Sequence, residues 1–567
     1  MIKQILVFLM VFLLFAACSN VQEQEVHYKI LTPKPDWTYY SDSQIPFSTT
    51  LNSNDIAWYS SKDGYLGKGN GFTLRLSSGS HEIKAVLQDC EQTVFIFVET
   101  RSIQEGQTVK YIINSHKQNI SLSDGVYKPA VVALNGSINN MTINEANQKS
   151  ELKKDIHIHT NIKGKTIIQN SERSAKKTGY ELNDEKDFFV INTKQQVLDP
   201  HKMVAKVIRT SESYTIWYPV HPEEYSPLEL DEDALNSCIR EIESRIIPRL
   251  NTLWGRLPDI DNDGKISLLF TPTINEEKTA IGFFNPDDFY KRDDASPFSN
   301  EMDILYIAIP ERGNFSYSAK CISATIAHEL THAINYNIKT YSRILNNEIN
   351  PPEEDPFLDE ALSHVSESLC GYGVSGGNVS ILFYYLNNLG KYSVCKNDYL
   401  GNGDSNGRRG ATTMFLSWLF WKKGGISWNK SNPLEIVDEG GIGFIQKLVA
   451  SNGTGWENIG AVFGKNTDML YVQMVEELNA LRENVNPSIL DPYSHEPVQV
   501  YPDFQTYCAE GTGKEWNLSI PLVEVDASVS LIPYSFILFS VYDNNSPFSI
   551  NSSHISGQVV GLFARRE

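Results

Sequence analysis

The sequence predicts a multidomain protein, with an all-β domain near the N-terminus, an α+β domain in the centre and a β-rich domain at the C-terminus. Three observations predict this order. Short apolar runs separated by turn residues fill residues 26–104, helical patterns dominate residues 186–485, and strand-like runs return in residues 486–567. A chain of 567 residues is long enough for three or four domains.

The composition is that of a globular, acidic protein. The formal net charge is −20 and the isoelectric point is about 5.1, so the basic surface that binds nucleic acid is not expected. Hydrophobic residues make up 41% of the chain and aromatic residues 11%, which argues against a disordered protein. We therefore expect no nucleic-acid partner.

The first 18 residues resemble the signal peptide of a bacterial lipoprotein. Lys3 supplies a positive charge, and the apolar residues 5–15 are too few to span a bilayer. The following lipobox-like run ends at Cys18, which would become the lipidated first residue, and residues 19–25 would form a tether. The alternatives are cleavage by ordinary signal peptidase or an uncleaved anchor. The expected location is the bacterial cell envelope, at the outer membrane or cell surface, because Ser19 follows the cysteine.

Residues 26–104 have the pattern of a β-sandwich. Strands are predicted at residues 45–48, 56–60, 72–76, 81–86 and 94–98, with turns such as residues 62–64 between them. The run of residues 58–69 resembles bacterial immunoglobulin-like domains, in which a tryptophan such as Trp58 is buried. An immunoglobulin-like domain here could bind substrate or glycan, although a spacer that lifts the rest of the chain off the membrane is the simpler interpretation.

Residues 105–185 have a weaker pattern, which fits either a small β-rich domain or a propeptide-like segment. His157 and His159 alternate along a predicted strand and would face one side, where two exposed histidines are a commoner finding than a second metal site. Residues 486–567 contain several strand-like runs and are predicted to form the C-terminal β-domain.

The chemistry of the central domain is concentrated in an H-E-x-x-H motif at residues 328–332. His328 and His332 are four residues apart, so a helix presents both on one face to a single metal ion. Glu329 lies beside that face and can act on a metal-activated water without binding the metal. The motif is flanked by uncharged residues, as in a buried helix. The alternatives are a chance match on an ordinary core helix, or a zinc site that has lost its activity.

A catalytic zinc ion needs a third protein ligand, and a downstream helix offers one. Asp355 is placed as the N-cap of this helix, Pro356 as its first residue and Gly371 as its stop. Glu360 is the predicted third ligand. Asp359 and His364 are predicted to hold the ligands in place by hydrogen bonds.

These residues resemble the gluzincins, the thermolysin-like clan, and more closely the hyicolysin family of secreted bacterial zinc metallopeptidases. The resemblance covers about residues 187–480 and implies an α+β thermolysin-like zincin catalytic domain. It rests on the motifs at residues 254–255, 259–266, 280–284, 304–309, 328–332, 357–364, 443–449 and 455–459. It implies zinc on His328, His332 and Glu360, with Glu329 as the catalytic residue. The sequence departs from thermolysin at His364, where that family has an aspartate.

The resemblance also implies a tyrosine or histidine that stabilises the transition state, for which Tyr372, Tyr384, Tyr385 and His495 are candidates. In thermolysin-like enzymes an edge strand pairs with the substrate backbone, and residues 303–310 are the candidate strand. The apolar character of residues 303–310 also allows an interior strand.

A second metal is suggested by the turn at Asp259, Asp261 and Asp263, which matches the first half of an EF-hand calcium loop. Position twelve is Phe270, so a calcium site would need a ligand from another segment, such as Glu276 or Glu277. A plain turn before a strand is the favoured interpretation.

Two further questions concern the cysteines and the substrate. Cys370 and Cys395 could form a disulfide in an exported chain, and buried free thiols are the equal alternative. The predicted activity is endopeptidase cleavage of extracellular proteins or peptides. The alternatives are an aminopeptidase, for which the usual Gly-x-Met-Glu-Asn-type motif is missing from the sequence, and a surface binding protein with a non-catalytic zincin scaffold.

Overall fold

A computed structural model of the chain provides the fold. It describes residues 28–99 apart from 36, 41–43, 78 and 89; residues 107–139 apart from 114–116, 121–125 and 136–137; and residues 165–168, 179–192, 200–224, 229–372, 378–395, 405–428 and 436–481. Short pieces between residues 506 and 565 are also described. The chain divides into two compact units, one reaching to Gln104 and including Lys110–Asn114, the other comprising the remainder.

The first unit contains two β-sheets, of three and five strands. The three-stranded sheet has the order β1-β3-β6 and the five-stranded sheet the order β2-β8-β7-β4-β5. The strands are β1 (Ile30–Thr32), β2 (Thr38–Tyr40), β3 (Ile45–Thr49), β4 (Ala57–Ser60), β5 (Gly64–Lys68), β6 (Phe72–Leu74), β7 (Gly79–Leu87) and β8 (Cys90–Glu99).

The five strands predicted for residues 26–104 are all present, with ends that shift by a few residues. Trp58 is fully buried, as predicted, and its ring meets the edge of Phe47 from the other sheet at 5.3 Å. Its indole N–H donates to the carbonyl of Gly69. This unit is a β-domain, and its immunoglobulin-like identity stays a prediction.

The second unit is built around a six-stranded sheet of order β13-β14-β15-β16-β18-β17. Earlier in the chain come β9 (Thr108–Ile113), which contains residues of both units, and β10 (Lys117–Ile120), β11 (Val126–Ala133) and β12 (Ile138–Asn139). The sheet itself contains β13 (Glu185–Val190), β14 (His201–Thr210), β15 (Tyr214–Pro219), β16 (Ile266–Thr271), β17 (Gly282–Phe284) and β18 (Ile304–Ala308). Strands β15, β16 and β18 are parallel, and every residue of β16 and β18 is buried.

The position of β18 corrects one prediction. Residues 303–310 were the candidate edge strand, but β18 lies between β16 and β17, and β17 forms the edge. The chain forms the edge strand β17 first, and then reverses direction to form β18 between β17 and β16. Apolar character alone does not reveal this order. An all-apolar strand such as β18 is typical of an interior position.

Helices form most of the rest of this unit. They are α1 (Glu232–Glu241), α2 (Ile247–Trp254), α3 (Pro272–Glu277), α4 (Ala319–Tyr336), α5 (Ser342–Leu345), α6 (Pro356–Leu369), α7 (Val379–Leu386), α8 (Asn406–Lys422), α9 (Gly441–Ala450), α10 (Gly455–Phe463) and α11 (Thr467–Leu481). Helices α1 and α2 are continuous through a π-helical turn at Ile242–Ile246. Pro248 follows this turn and lacks the N–H that a regular α-helix would need there.

The segments predicted as separate at residues 105–185 and 486–567 share a sheet. The C-terminal strands are β21 (Thr506–Cys508), β22 (Glu515–Asn517), β23 (Ser535–Leu538), β24 (Tyr542–Asp543), β25 (Phe548–Asn551), β26 (His554–Ile555) and β27 (Val559–Arg565), after the hairpin of β19 (Ile426–Trp428) and β20 (Ile436–Asp438). Strand β11 lies between β23 and β27 and pairs with both. The amide of Asn479 on α11 donates to the carbonyl of Lys128 and so attaches this sheet to the helices.

Two simpler findings complete the fold. Cys370 and Cys395 are free thiols, so the structure does not contain the disulfide that the sequence left open. Within the described part of the chain, none of the helices has the length and apolar character needed to cross a membrane.

Candidate metal centre

The H-E-x-x-H motif lies in the middle of α4, a helix buried on all sides. The helix begins after Ser318, whose hydroxyl accepts from the backbone N–H of Cys321, and it packs against β17, β18 and α6. His328 and Glu329 are at most 1% exposed, and His332 is 5% exposed. Uncharged residues around the motif allow this burial, and the helical spacing turns both imidazoles toward α6.

Helix α6 brings the predicted third ligand to the same place. It begins at Pro356 and ends before Gly371, whose φ of 93° is favourable only for glycine, so both predicted boundaries are confirmed. The side chain of Asp355 makes no capping hydrogen bond, although the residue occupies the N-cap position. Glu360, in the second turn of the helix, is fully buried and faces α4.

Two donor-atom distances, each to a different oxygen of Glu360, test whether the three predicted ligands can share one cation. Nε2 of His328 lies 3.4 Å from Oε2 of Glu360, and Nε2 of His332 lies 3.9 Å from Oε1 of the same carboxylate. Ligand bonds of about 2.0–2.2 Å in tetrahedral geometry place two ligand atoms about 3.3–3.6 Å apart. The first distance meets this range and the second exceeds it by a few tenths of an ångström.

Carboxylates orient both imidazoles of the motif. Nδ1 of His328 lies 2.7 Å from Oε1 of Glu367, and Nδ1 of His332 lies 2.8 Å from Oδ2 of Asp359. An ionised carboxylate only accepts hydrogen bonds, so each ring carries a proton on Nδ1 and turns Nε2 toward Glu360. In the neutral ring that Nε2 is the nitrogen that can bind a metal. Asn335 donates to the second oxygen of Asp359 and fixes that carboxylate. These are the carboxylate–histidine pairs that typically support metal ligands.

The same carboxylates make the site attractive to positive charge. Burial disfavours a protonated His332, but the adjacent Asp359, with a smaller contribution from Glu360, outweighs burial and raises the pKa of His332 to about 9. A field that favours a proton on the imidazole also favours a cation bound to it. Three buried carboxylates, Asp359, Glu360 and Glu367, surround the histidine pair.

His364 was predicted only to hold the metal ligands in place by hydrogen bonds, but its imidazole lies next to His328 and Glu360. Its ring is 4.7 Å from that of His328, and its Nε2 is 4.0 Å from Oε2 of Glu360. His328, Glu360 and His364 form a group whose candidate ligand atoms all lie within 4.8 Å of one another. Nδ1 of His364 contacts both Glu367, at 2.9 Å, and Asn378, at 3.0 Å. The site therefore offers three inward-facing imidazole nitrogens to one carboxylate.

A small cavity borders the candidate metal ligands on the side of His332 and Glu329. It has a volume of about 30 Å³, room for a water molecule, and its lining includes Phe284, Glu329, His332 and Asp359. The imidazole of His332 therefore borders the cavity together with Glu329. A cation held on the His332 side keeps the open position that a catalytic metal requires.

Glu329 is held at the edge of the sheet. Its Oε2 accepts a hydrogen bond of 2.9 Å from the backbone N–H of Phe284, the last residue of the edge strand β17. This contact places the carboxylate between the metal ligands and the strand edge. A carboxylate in this position can exchange a proton with a water molecule in the cavity.

Arg409 is a residue of the site that sequence reasoning missed. Its Nη1 lies 2.8 Å from Oε2 of Glu360, and both side chains are buried. Arg409 is on α8, which lies very close to α7. The close approach needs glycine at position 410, because a Cβ there would collide with the carbonyl of Ile381. The position of Arg409 directly before the largely apolar remainder of this helix was a possible signal. Glu367 lies on the same helix as Glu360, and its contact with His328 depends on how α4 and α6 cross.

The other predicted site residues are distributed as follows. The hydroxyl of Tyr372 donates to Glu241, Tyr385 is buried beside Phe536, and the ring of Tyr384 lies edge-on to that of Phe383. Asp259, Asp261 and Asp263 come together in one turn, with ligand atoms within 4.8 Å of one another. Cys18, His157, His159 and His495 lie outside the described residues.

Comparison with known proteins supports a relationship to metallopeptidases. No family model matches the chain. The neutral metalloprotease ShpI of Staphylococcus hyicus is 26% identical over 216 residues. The matched segment is 36% of this chain and 45% of that protein, so the chain spans less than half of the relative's length. The geometry described above supplies residues that could bind a metal ion.

Proposed function

We propose that the protein is a zinc-dependent endopeptidase that hydrolyses peptide bonds of extracellular proteins. The observation that carries this proposal is the convergence of His328, His332 and Glu360, with Glu329 beside them at the cavity. The donor set of two imidazoles and one carboxylate suits zinc and leaves a fourth position open. A zinc ion bound there would supply a Lewis acid that lowers the pKa of water to about 7 and polarises the substrate carbonyl.

The protein residues would divide the remaining work. Glu329 takes a proton from the attacking water and later transfers it to the leaving amine. The backbone N–H of Phe284 holds the Glu329 carboxylate in place at 2.9 Å. Glu367 and Asp359 keep the imidazoles in the tautomer that presents Nε2 to the metal.

The edge strand β17 is the proposed docking site for the substrate backbone. It ends at Phe284, next to Glu329, so an extended peptide that pairs with β17 would pass the catalytic carboxylate. Pairing through the main chain needs no free substrate terminus, which favours an endopeptidase over an aminopeptidase.

The second candidate function is that of a surface binding protein with a non-catalytic zincin scaffold. The aromatic side chains Tyr59, Tyr65, Phe95 and Phe97 are exposed in the first unit and favour a ligand-binding role for it. The presence of Glu329 at the cavity favours the enzyme, because a scaffold has no need of a buried carboxylate there.

We further propose that Cys18 is lipidated and anchors the protein to the cell envelope. The support is the lipobox-like sequence before Cys18 and the polar tether after it. Cys18→Ser should shift the protein from the membrane fraction to the soluble fraction, with Cys90→Ser as the control. Retention of the Cys18→Ser protein in the membrane fraction would contradict lipid anchoring.

The decisive experiment compares proteolysis of an unfolded protein by the wild type and by Glu329→Gln, with zinc content measured in both. We expect the variant to keep its zinc and to lose about 10²–10⁴-fold in rate, the usual contribution of general acid–base catalysis. Glu348→Gln, an exposed carboxylate in the loop after α5, is the matched control. If the zinc-loaded wild type does not cleave, or if Glu329→Gln cleaves as fast, the proposed activity is wrong.

A further inference from the structure

We propose that the protein has a second metal site, a calcium site formed by Asp259, Asp261 and Asp263 of the turn before β16 together with Asp303 at the start of β18. This inference does not depend on the proposed peptidase activity.

The turn has the shape of a calcium loop. Its three aspartates occur at alternate positions, and Asn262 and Gly264 have φ values of 62° and 81°. The two outer carboxylates accept backbone N–H groups within the turn, Asp259 from Gly264 and Asp263 from Lys265. Ligand atoms of all three aspartates lie within 4.8 Å of one another. Carboxylate oxygens at this density are the ligands that calcium prefers.

An EF-hand loop closes with a carboxylate at position twelve, where this chain has Phe270 in the buried strand β16. The structure offers Asp303 in its place. The backbone N–H of Ile260, inside the turn, donates to Oδ1 of Asp303 at 2.8 Å. The carbonyl of Asp303 accepts from Ser267 of β16 at 2.9 Å. A residue from the neighbouring strand thus reaches the turn that precedes β16.

Asp303 is the observation that points to a ligand independently of the turn. It is 1% exposed, and its Oδ2 is buried without a hydrogen-bond partner. A buried carboxylate oxygen left in this condition costs free energy unless a cation binds it. Burial raises the pKa of Asp303 well above its usual value, and the charges of Asp261, Asp263 and Asp259 raise it further, in that order.

The charge around the turn is also one-sided. Arg256 reaches Asp259 at 3.3 Å, but its side chain is 81% exposed and screened by solvent. The ammonium group of Lys265 donates to the hydroxyl of Thr210 at 2.7 Å. Three turn carboxylates, two of them only 6% exposed, lie together, and Asp303 is near enough for their charges to act on it. This concentration of negative charge favours a divalent cation.

An all-oxygen donor set selects a hard cation, and the flexible geometry of a turn suits calcium better than magnesium, which demands a near-ideal octahedron. Calcium bound here would join the turn to the residue immediately before β18, and β18 packs against α4, the helix of the candidate metal centre. The expected role is to stabilise the sheet next to the candidate metal centre.

The test uses the full chain, freed of metals on a chelating resin and then supplied with zinc. Terbium is the probe, because the ring of Tyr180 lies in contact with Trp217 and close enough to Asp261 and Asp263 for their charges to raise its pKa. Excitation of these rings should produce terbium emission that saturates at one site. Calcium should displace the terbium, whereas magnesium at the same concentration should not, and calcium should raise the Tm.

Three variants decide the assignment. Asp261→Asn and Asp303→Asn should each weaken calcium binding by about tenfold or more, and Asp294→Asn, an exposed carboxylate in a nearby loop, should leave it unchanged. Asp303→Asn should also raise the Tm of the calcium-free protein, because it removes a buried charge while the amide oxygen can still accept from Ile260. Wild-type affinity in Asp261→Asn or Asp303→Asn, or no saturable terbium signal in the wild type, would overturn the proposal.

Discussion

The guanidinium of Arg409 lies 2.8 Å from Oε2 of Glu360, inside the helical half of the second unit. Glu360 therefore interacts with the imidazole of His328 on one side and with a permanent positive charge on the other. The pair is almost completely shielded from solvent. A buried ion pair of this kind is costly to break, since removal of one partner leaves an uncompensated charge in a medium of low dielectric constant.

The first prediction concerns this pair. Arg409→Met should destabilise the zinc-free protein by roughly 3–5 kcal/mol, the usual cost of breaking a buried ion pair. The loss should be clearly smaller in the zinc-loaded protein, because a cation on Glu360 replaces the missing positive charge. Tm values with and without zinc measure the difference, and Arg408→Met, at the half-exposed neighbouring position, is the control. Equal destabilisation in both states would mean that zinc does not bind Glu360.

The second prediction concerns Glu367, whose Oε1 accepts from Nδ1 of both His328 and His364. Glu367→Gln retains an acceptor oxygen but removes the negative charge. That charge makes the Nε2 atoms of the two imidazoles more basic and therefore better metal ligands. We expect zinc affinity to fall by about 10–100-fold, as is usual for such outer contacts. Titration against a competing chelator measures this, with Glu348→Gln as the control. An unchanged affinity would show that the Glu367 charge does not support the metal ligands.

The third prediction separates His332 from His364. If the cation lies on the cavity side, His332→Ala should abolish stoichiometric zinc binding, whereas His364→Ala should weaken it by about tenfold. The reason is that His332 borders the cavity with Glu329, while His364 contacts Glu367 and Asn378 through Nδ1. Metal analysis of the purified variants checks the order. The reverse order would place the cation among His328, Glu360 and His364.

The parts of the site that the sequence predicts are those set by local geometry. The spacing of His328 and His332 is meaningful within a single helix, and Pro356 and Gly371 mark the ends of the next helix through their own backbone preferences. The same local reasoning places Trp58 in the core of a β-domain. None of these conclusions requires knowledge of which elements are neighbours in space.

The parts that the sequence does not predict depend on how distant elements pack. Arg409 reaches Glu360 only because α8 packs against α6. Strand β17 becomes the edge because the chain turns back inside it to form β18. Asp303 meets the acidic turn because β16 and β18 are neighbours, although the turn and Asp303 are far apart in the chain.

The fourth prediction is a pH dependence that arises away from the metal centre. Asp288 is fully buried beneath β18, where it accepts from the backbone N–H of Asn300 at 2.6 Å and from the hydroxyl of Tyr306 at 2.8 Å. These hydrogen bonds favour the ionised form, but burial outweighs them and raises the pKa of Asp288 to about 7.

An acid whose pKa is higher in the folded state stabilises the unfolded state as the pH rises. Between about pH 4 and about pH 7 the unfolded chain releases the proton of Asp288 while the folded protein retains it. The free energy of unfolding therefore declines as the pH rises across this window, and the decrease stays constant above about pH 7. The shift from 3.8 to about 7 corresponds to on the order of 4 kcal/mol. Asp288→Asn should therefore gain Tm relative to the wild type as the pH rises through this window. Asp294→Asn, at an exposed position, should follow the wild type, and a constant Tm difference between Asp288→Asn and the wild type at every pH would contradict the prediction.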